Sequence, residues 1–346
     1  MNIENEISIS TGPILENQTA MDPIVVTGAT GRVGRLVVDE LLALGCRVRA
    51  VGRTMEKLRP LAERGADARA GGPRAYEDRG FLASVFKGVS AAFVLTPVDV
   101  AAKDVNEIQY KVIDGLVSAI RDSNVKHVVL LSSWGAELET QVGGIIGCHR
   151  FEKLLDQVPG LDVVYLRPVW FMENFLWNIP LIKLAGINGL GFKPNVLFPT
   201  IATRDIAPIA AKYLATLDFQ GRNVRYLNGA RDYTMTEITR ILGASIGRPH
   251  IKYVEFPDGV FRKGLLSAGL TPNAADFAIQ INRGINSGLV KAEARSASNT
   301  TQTTVEEFAK TTFAPAFNAA PEPGFGDRFG GLFLRSFLFV TGHRAV

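Results

Sequence analysis

The chain is poor in metal- and disulfide-forming residues: two cysteines, Cys46 and Cys148, and four histidines are spread over 346 positions. There is no CxxC pair and no histidine cluster, which argues against a disulfide framework and against a zinc site. Long apolar runs are missing as well. Nothing approaches the roughly 18 uninterrupted residues of a membrane span, and the first residues lack the charged-then-apolar order of a secretion signal, so a cytoplasmic location is expected. An excess of one charge is also lacking. The net charge is only +4 and the basic residues are scattered, so nucleic acid is not an expected partner. What the chain does have is apolar material, 47% of its residues against 21% charged, enough for a large core in one α/β unit with an appended lobe.

Residues 24–34 read Ile-Val-Val-Thr-Gly-Ala-Thr-Gly-Arg-Val-Gly. A β-branched run breaks into Gly28, Gly31 and Gly34, directly ahead of an amphipathic segment carrying Leu36, Val37, Leu41 and Leu42 at helical spacing. Such a strand–turn–helix is a dinucleotide-binding turn. A parallel strand must reverse tightly into a helix, the backbone must approach a pyrophosphate, and the helix must then pack back on the strand. Gly28, Thr30, Gly31, Arg32, Val33 and Gly34 are therefore the first candidates for cofactor binding.

The next strand runs Arg47-Val48-Arg49-Ala50-Val51 into Gly52-Arg53, with no Asp or Glu placed to hold an unphosphorylated ribose 2′-hydroxyl. This favours NADP(H) over NAD. Arg53 at the strand tip and Arg32 in the turn are the residues suited to a 2′-phosphate, through paired N–H donors.

Strand and helix patterns then alternate: strands at 23–27, 47–51, 67–70, 91–95, 126–131 and 162–166, helices at 32–44, 55–64, 79–87, 103–122 and 147–157. The order predicts an α/β fold, a doubly wound parallel sheet of Rossmann type, with a small C-terminal α/β lobe. Residues 1–21 are expected to be a disordered extension, 22–168 the NAD(P)-binding domain, 169–317 a substrate lobe interleaved with its sheet, and 318–346 an apolar tail. Helices are also expected at 205–217, 235–246 and 305–312, with Thr234/Glu237 and Thr304/Glu307 spaced as capping boxes.

In such a sheet ligands lie beyond the carboxyl ends of the strands. Four tips matter: Thr27-Gly28, Thr96-Pro97, Ser132-Ser133-Trp134-Gly135 and Arg167-Pro168-Val169-Trp170-Phe171. Thr96, Pro97, Ser132 and Pro168 are read as flanking the ribose and nicotinamide. Trp134, Trp170, Phe171 and Asn174 are read as contacts for a flat substrate, with an interdomain core as the competing role for the aromatics.

At these residues the chain resembles the NmrA-like group of atypical short-chain dehydrogenases. The matching stretches are TGATGRVG (27–34), VRAVGR (48–53), KGVSAAFVLTP (87–97), KHVVLLSSWGA (126–136), His149 with Glu152 ahead of GLDVVYLRPVWFMEN (160–174), IATRDIA (201–207) and TTVEEFAKTTFAPAF (303–317). The resemblance implies a Rossmann domain with a C-terminal lobe closing over an NADP site. It also implies either of two functions: an NAD(P)H-dependent reductase of quinones, aromatic carbonyls or similar small molecules, or a redox-sensing regulator that binds the dinucleotide without turnover.

A standard short-chain dehydrogenase has a Tyr with Lys four residues on, so that the phenol protonates the developing alkoxide. Here the residues four beyond the seven tyrosines are Gly80, Asp114, Val169, Leu217, Ala230, Glu237 and Pro257. None is lysine. His149, at the start of the helix before the 162–166 strand, is the favoured proton donor, with Lys153 and Ser133 as weaker alternatives. Glu152 is read as a structural partner on the same helix face.

The tail repeats phenylalanine every four residues, at Phe325, Phe329, Phe333 and Phe337. Such a face is expected to be buried, against the body of the chain, a second copy in a homodimer, or a membrane surface. Taken together, the sequence predicts an NADPH-dependent oxidoreductase acting on an apolar, ring-bearing small-molecule substrate.

Overall fold

Ile24–Val26 form strand β1 because three consecutive β-branched residues suit an extended chain enclosed on both faces, and all three are buried. In the computed structural model, which describes residues 22–96, 99–322 and 324, β1 lies inside a seven-stranded sheet. Helix α1 (Arg32–Ala43) follows, then β2 (Val48–Gly52), α2 (Met55–Ala62), β3 (Asp67–Ala70), α3 (Arg79–Phe86), β4 (Ala91–Leu95), α4 (Val105–Ser123), β5 (His127–Leu131), α5 (Ile146–Asp156) and β6 (Asp162–Pro168). Each of these elements falls within about two residues of its expected bounds.

The second half contributes β7 (Trp170–Phe171), α6 (Ile179–Ala185), β8 (Ile187–Leu190), β9 (Phe198–Ile201), α7 (Thr203–Thr216), β10 (Arg222–Leu227), β11 (Asp232–Tyr233), α8 (Met235–Ser245), β12 (Lys252–Glu255), α9 (Asp258–Ser267), α10 (Pro272–Asn286), α11 (Val305–Phe308) and α12 (Ala314–Ala319). The main sheet has the order β10-β6-β5-β4-β1-β2-β3, every pairing parallel. It is the expected doubly wound sheet. The strand order reverses between β1 and β4, and that switch point opens the crevice where such folds bind ligands.

The period of two along the strands divides the core into two layers. Val26, Ala50, Phe93, Val129 and Val164 face the side covered by α1, α2 and α7; Val25, Val51, Val94, Val128 and Val163 face the side covered by α3, α4 and α5. The chain beyond residue 168 returns to this sheet twice, with α7 packed on α1 and β10 paired along β6. β10 was not legible as a strand. It is an edge strand reading Arg-Asn-Val-Arg-Tyr-Leu, largely exposed, so no apolar run marks it.

The remaining elements build the lobe from a β11-β9-β7 sheet and a β12-β8 pair. Thr234 and Thr304 cap their helices by accepting from the backbone N–H of Glu237 and Glu307, as their spacing predicts. The segment after α9 crosses back to the N-terminal half of the chain. The Thr271 hydroxyl donates to the carbonyls of Val100 and Ala102, and Asn273 Oδ1 accepts from the Val105 N–H at the start of α4. Residues 1–21, the phenylalanine repeat at 325–337 and Pro97 lie outside the described residues.

Candidate active site

The glycine turn is built by backbone constraint. Gly28 has φ +59°, a left-handed conformation that favours glycine, and Leu95 at the end of β4 packs over it. A methyl group at Gly34 would stand 2.9 Å from the Gly28 carbonyl carbon and closer still to its oxygen; one at Gly31 would stand 3.1 Å from that oxygen. Helix α1 therefore docks directly on the turn. Gly31 is its N-cap and donates its own N–H to the Gly28 carbonyl at 2.8 Å; with no side-chain cap and no acid in the first turn, the amides that follow it are left for an anion. Val33 turns its side chain into the core, leaving only its backbone for a ligand, whereas Thr30, Gly31 and Arg32 are exposed.

Two further features fit a dinucleotide. The Thr96 hydroxyl, just beyond β4 beside the switch point, is buried without a hydrogen-bond partner. Arg53 stands exposed beyond β2, and its carbonyl accepts from the Gly72 N–H. Arg32 reaches the other way: its guanidinium donates to Asn174 Oδ1 at 3.4 Å and lies 5.4 Å from the exposed Trp177 ring. The turn and the segment after β7 are thus joined at the mouth of the crevice.

The tip of β5 is held by a buried polar network. Glu152 on α5 and Arg167 on β6 form a two-pronged ion pair, and Ser132 donates its hydroxyl to Glu152 Oε1 at 2.5 Å. Arg167 also reaches Glu137 and the Tyr226 hydroxyl, at 3.0 and 2.8 Å. Ser132 is thereby engaged inside the protein, and its expected place beside the cofactor gives way to an anchoring one, because a buried carboxylate takes the strongest donors available. Ser133 is half-buried and donates to the neighbouring Trp134 carbonyl at 3.1 Å.

His149 sits one turn before Glu152, half-buried, its Nδ1 2.8 Å from the Ala136 carbonyl oxygen. A carbonyl only accepts, so Nδ1 carries the proton and Nε2 is the nitrogen left for other chemistry. Next to it, burial pushes the Cys148 thiol up to about 12, with the Glu152 carboxylate acting in the same direction.

The aromatic tip residues divide. Trp134 is 4% exposed and packs edge-on against Phe198 at 6.4 Å, so it belongs to the core between the two halves rather than to a stacking surface. Pro168 is buried at the end of β6, where its carbonyl accepts from the Trp134 N–H. Trp170 and Phe171 remain half-buried. The Trp170 ring lies 5.2 Å from Phe192 and 5.7 Å from Phe198, with its indole N–H buried and unpartnered. Glu173 accepts from the Thr203 N–H and hydroxyl, supplying α7 with the cap that Ala202 cannot give.

Tyr76 was missed in the sequence. Its hydroxyl accepts from the Gly28 N–H at 2.6 Å, from a loop beyond the end of β3. The rule that strand ends carry function applied to β3 as to the other tips, and would have singled it out.

Among proteins of known activity, the chain is 28% identical over 254 residues to a (4-alkanoyl-5-oxo-2,5-dihydrofuran-3-yl)methyl phosphate reductase of Streptomyces griseus, covering 73% of this chain and 84% of that one. It is 25% identical over 268 residues to quinone oxidoreductase 2 of Escherichia coli, covering 77% and 88%, and 27% identical over 256 residues to an NAD(P)H azoreductase of Xenophilus azovorans, covering 73% and 84%. The fold superimposes on the Escherichia coli NADPH-dependent quinone oxidoreductase crystallised with NADPH, with a TM-score of 0.71 at 24% identity over 84% of this chain and 99% of that one. A Citrobacter triphenylmethane reductase complexed with NADP(H) gives a TM-score of 0.69 at 22% identity over 83% and 99%. A model of the NmrA-like family matches residues 21–309, so the chain belongs to the NmrA-like family.

Proposed function

We propose that the chain is an NADPH-dependent oxidoreductase that reduces a small, flat acceptor of the quinone or carbonyl type. The observation that carries this reading is the glycine turn: an uncapped helix start free of carboxylates, in a cradle that admits no side chain at Gly34, beside a strand tip bearing Arg53 in place of an acid. The relatives that act on quinones, azo compounds and oxo-dihydrofurans support the reaction class.

The bound dinucleotide would supply hydride. The amides of Arg32, Val33 and Gly34 would hold its pyrophosphate, with Thr30 beside them, Arg53 its 2′-phosphate, and the Thr96 hydroxyl a polar group nearer the nicotinamide; the Arg32 guanidinium, drawn to Asn174, would lie on the substrate side of the crevice. Trp170 and Phe171 supply an apolar wall, and the free indole N–H of Trp170 is a donor suited to an acceptor oxygen. His149 is the proton donor in this reading. Its Nδ1–H is fixed on Ala136, so the proton would leave from Nε2 of the imidazolium.

The test is loss of 340 nm absorbance from NADPH on addition of benzoquinones, naphthoquinones and azo dyes. Turnover that falls when Arg53→Ala is introduced, with NADPH affinity weakened by about 1.5–3 kcal/mol and NADH affinity unchanged, supports the proposal. NADPH binding with no oxidation by any acceptor points to a regulator instead.

A further inference from the structure

The loop from Gly71 to Asp78 joins β3 to α3 and is tied down at both ends. The Gly71 N–H donates to the Gly52 carbonyl at 3.2 Å and the Gly72 N–H to the Arg53 carbonyl at 3.0 Å, while Asp78 caps α3 by accepting from the Phe81 N–H. Its middle is pressed on α4. Ala75 is fully buried, and a methyl group at Gly115 would overlap the Tyr76 carbonyl oxygen. From this seat the Tyr76 hydroxyl reaches the sheet, accepting from the Gly28 N–H at 2.6 Å and directed at the Val51 carbonyl 3.4 Å away. Val51 O in turn accepts from the Ala29 N–H at 3.0 Å.

One hydroxyl thus bridges the carboxyl ends of β1 and β2, within the electrostatic reach of Arg53. In a doubly wound sheet the adenosine half of a dinucleotide lies across those two ends, with the 2′-position over the tip of β2. We propose that Tyr76 is a positioning residue for NADPH selectivity: it locks the first glycine of the turn to the strand end that carries Arg53, and so fixes the guanidinium relative to the 2′-phosphate. This rests on the NADPH reading above. Tyr76 acts through Gly28 and through the loop that holds Arg53. It predicts coupling between Tyr76 and Arg53 that an ordinary packing tyrosine would not show.

The experiment is a double-mutant cycle with Tyr76→Phe and Arg53→Ala, read as dissociation constants for NADPH, NADH and 2′,5′-ADP by calorimetry, with melting temperatures alongside. In the wild-type background, Tyr76→Phe is expected to weaken NADPH and 2′,5′-ADP on the order of tenfold while changing NADH much less; in the Arg53→Ala background it is expected to leave the NADPH to NADH ratio where it is. A Tyr76→Phe protein that melts lower but keeps the wild-type ratio overturns the proposal, since the hydroxyl then only supports the loop. A ratio that falls equally in both backgrounds also overturns it. A wild type that binds NADPH and NADH equally removes the NADPH reading and this inference together, whereas a preference retained in Tyr76→Phe removes this inference alone.

Discussion

Glu152 Oε1 lies 3.0 Å from Nε of Arg167 and Oε2 lies 2.6 Å from its Nη2, with both residues more than nine-tenths buried. A pair so enclosed adds little net stability relative to apolar groups of the same size, but either member left alone is an uncompensated buried charge. Arg167→Met is therefore expected to cost about 3–5 kcal/mol in urea unfolding, and adding Glu152→Leu is expected to return a large part of that loss. A double variant as unstable as the single one would show that Ser132, Glu137 and Tyr226, not the pair, dominate the energetics.

This network marks the limit of what the sequence displays. The glycine turn, the alternating strands and the two capping threonines are local signals, set by residues within a few positions of one another, and they were legible. Contacts across the fold were not. Ser132 meets Glu152 twenty positions on, and Tyr76 meets Gly28 forty-eight positions back, and no periodicity encodes either pairing. Trp134 illustrates a different limit. An aromatic at a strand tip suits a substrate wall and an interdomain core equally well, and only the packing of Phe198 against it decides for the core.

The cradle around Gly28 ranks two conservative substitutions. Gly34→Ala drives a methyl group into the Gly28 backbone, which no side-chain rotation relieves, whereas Gly31→Ala meets only the carbonyl oxygen at 3.1 Å. Separating α1 from the turn is expected to cost about 1–3 kcal/mol of stability in Gly34→Ala and to weaken NADPH more strongly still, because the α1 amides move with the helix. Gly31→Ala should fall between it and wild type in both measurements. The reverse order, by thermal melting and fluorescence titration of NADPH, would contradict the docking of α1 described above.

His149 allows its two roles to be separated. His149→Ala removes both the bond to Ala136 and the Nε2 site, whereas His149→Asn retains an amide N–H able to reach the Ala136 carbonyl but no titratable group. If the imidazole donates the proton, both variants are expected to lose about 10²–10⁴-fold in kcat while their NADPH dissociation constants stay near wild type. Recovery of turnover in His149→Asn alone would make the residue an anchor for the β5–α5 loop and shift attention to Ser133.

Cys148 supplies a pH prediction whose direction follows from burial. Its thiol is pushed up to about 12 in the folded protein, mainly by desolvation and then by the Glu152 carboxylate, whereas in the unfolded chain it ionises near 8.5. The folded state thus holds the proton more tightly, so the thiol's contribution to stability is complete below about pH 8.5 and is lost as pH rises toward 12. Between pH 8.5 and 10 this amounts to at most about 2 kcal/mol. Urea unfolding of wild type and Cys148→Ala at the two pH values isolates the effect, since only the wild type carries it. The same shift makes the thiolate about a thousandfold scarcer at pH 8 than in a free cysteine, so iodoacetamide should label Cys148 far more slowly in native protein than after unfolding. Rapid native labelling of Cys148, located by peptide mass mapping, together with equal pH slopes for the two proteins, would mean that the thiol ionises freely and that the Ser132–Glu152 side of α5 is open to solvent.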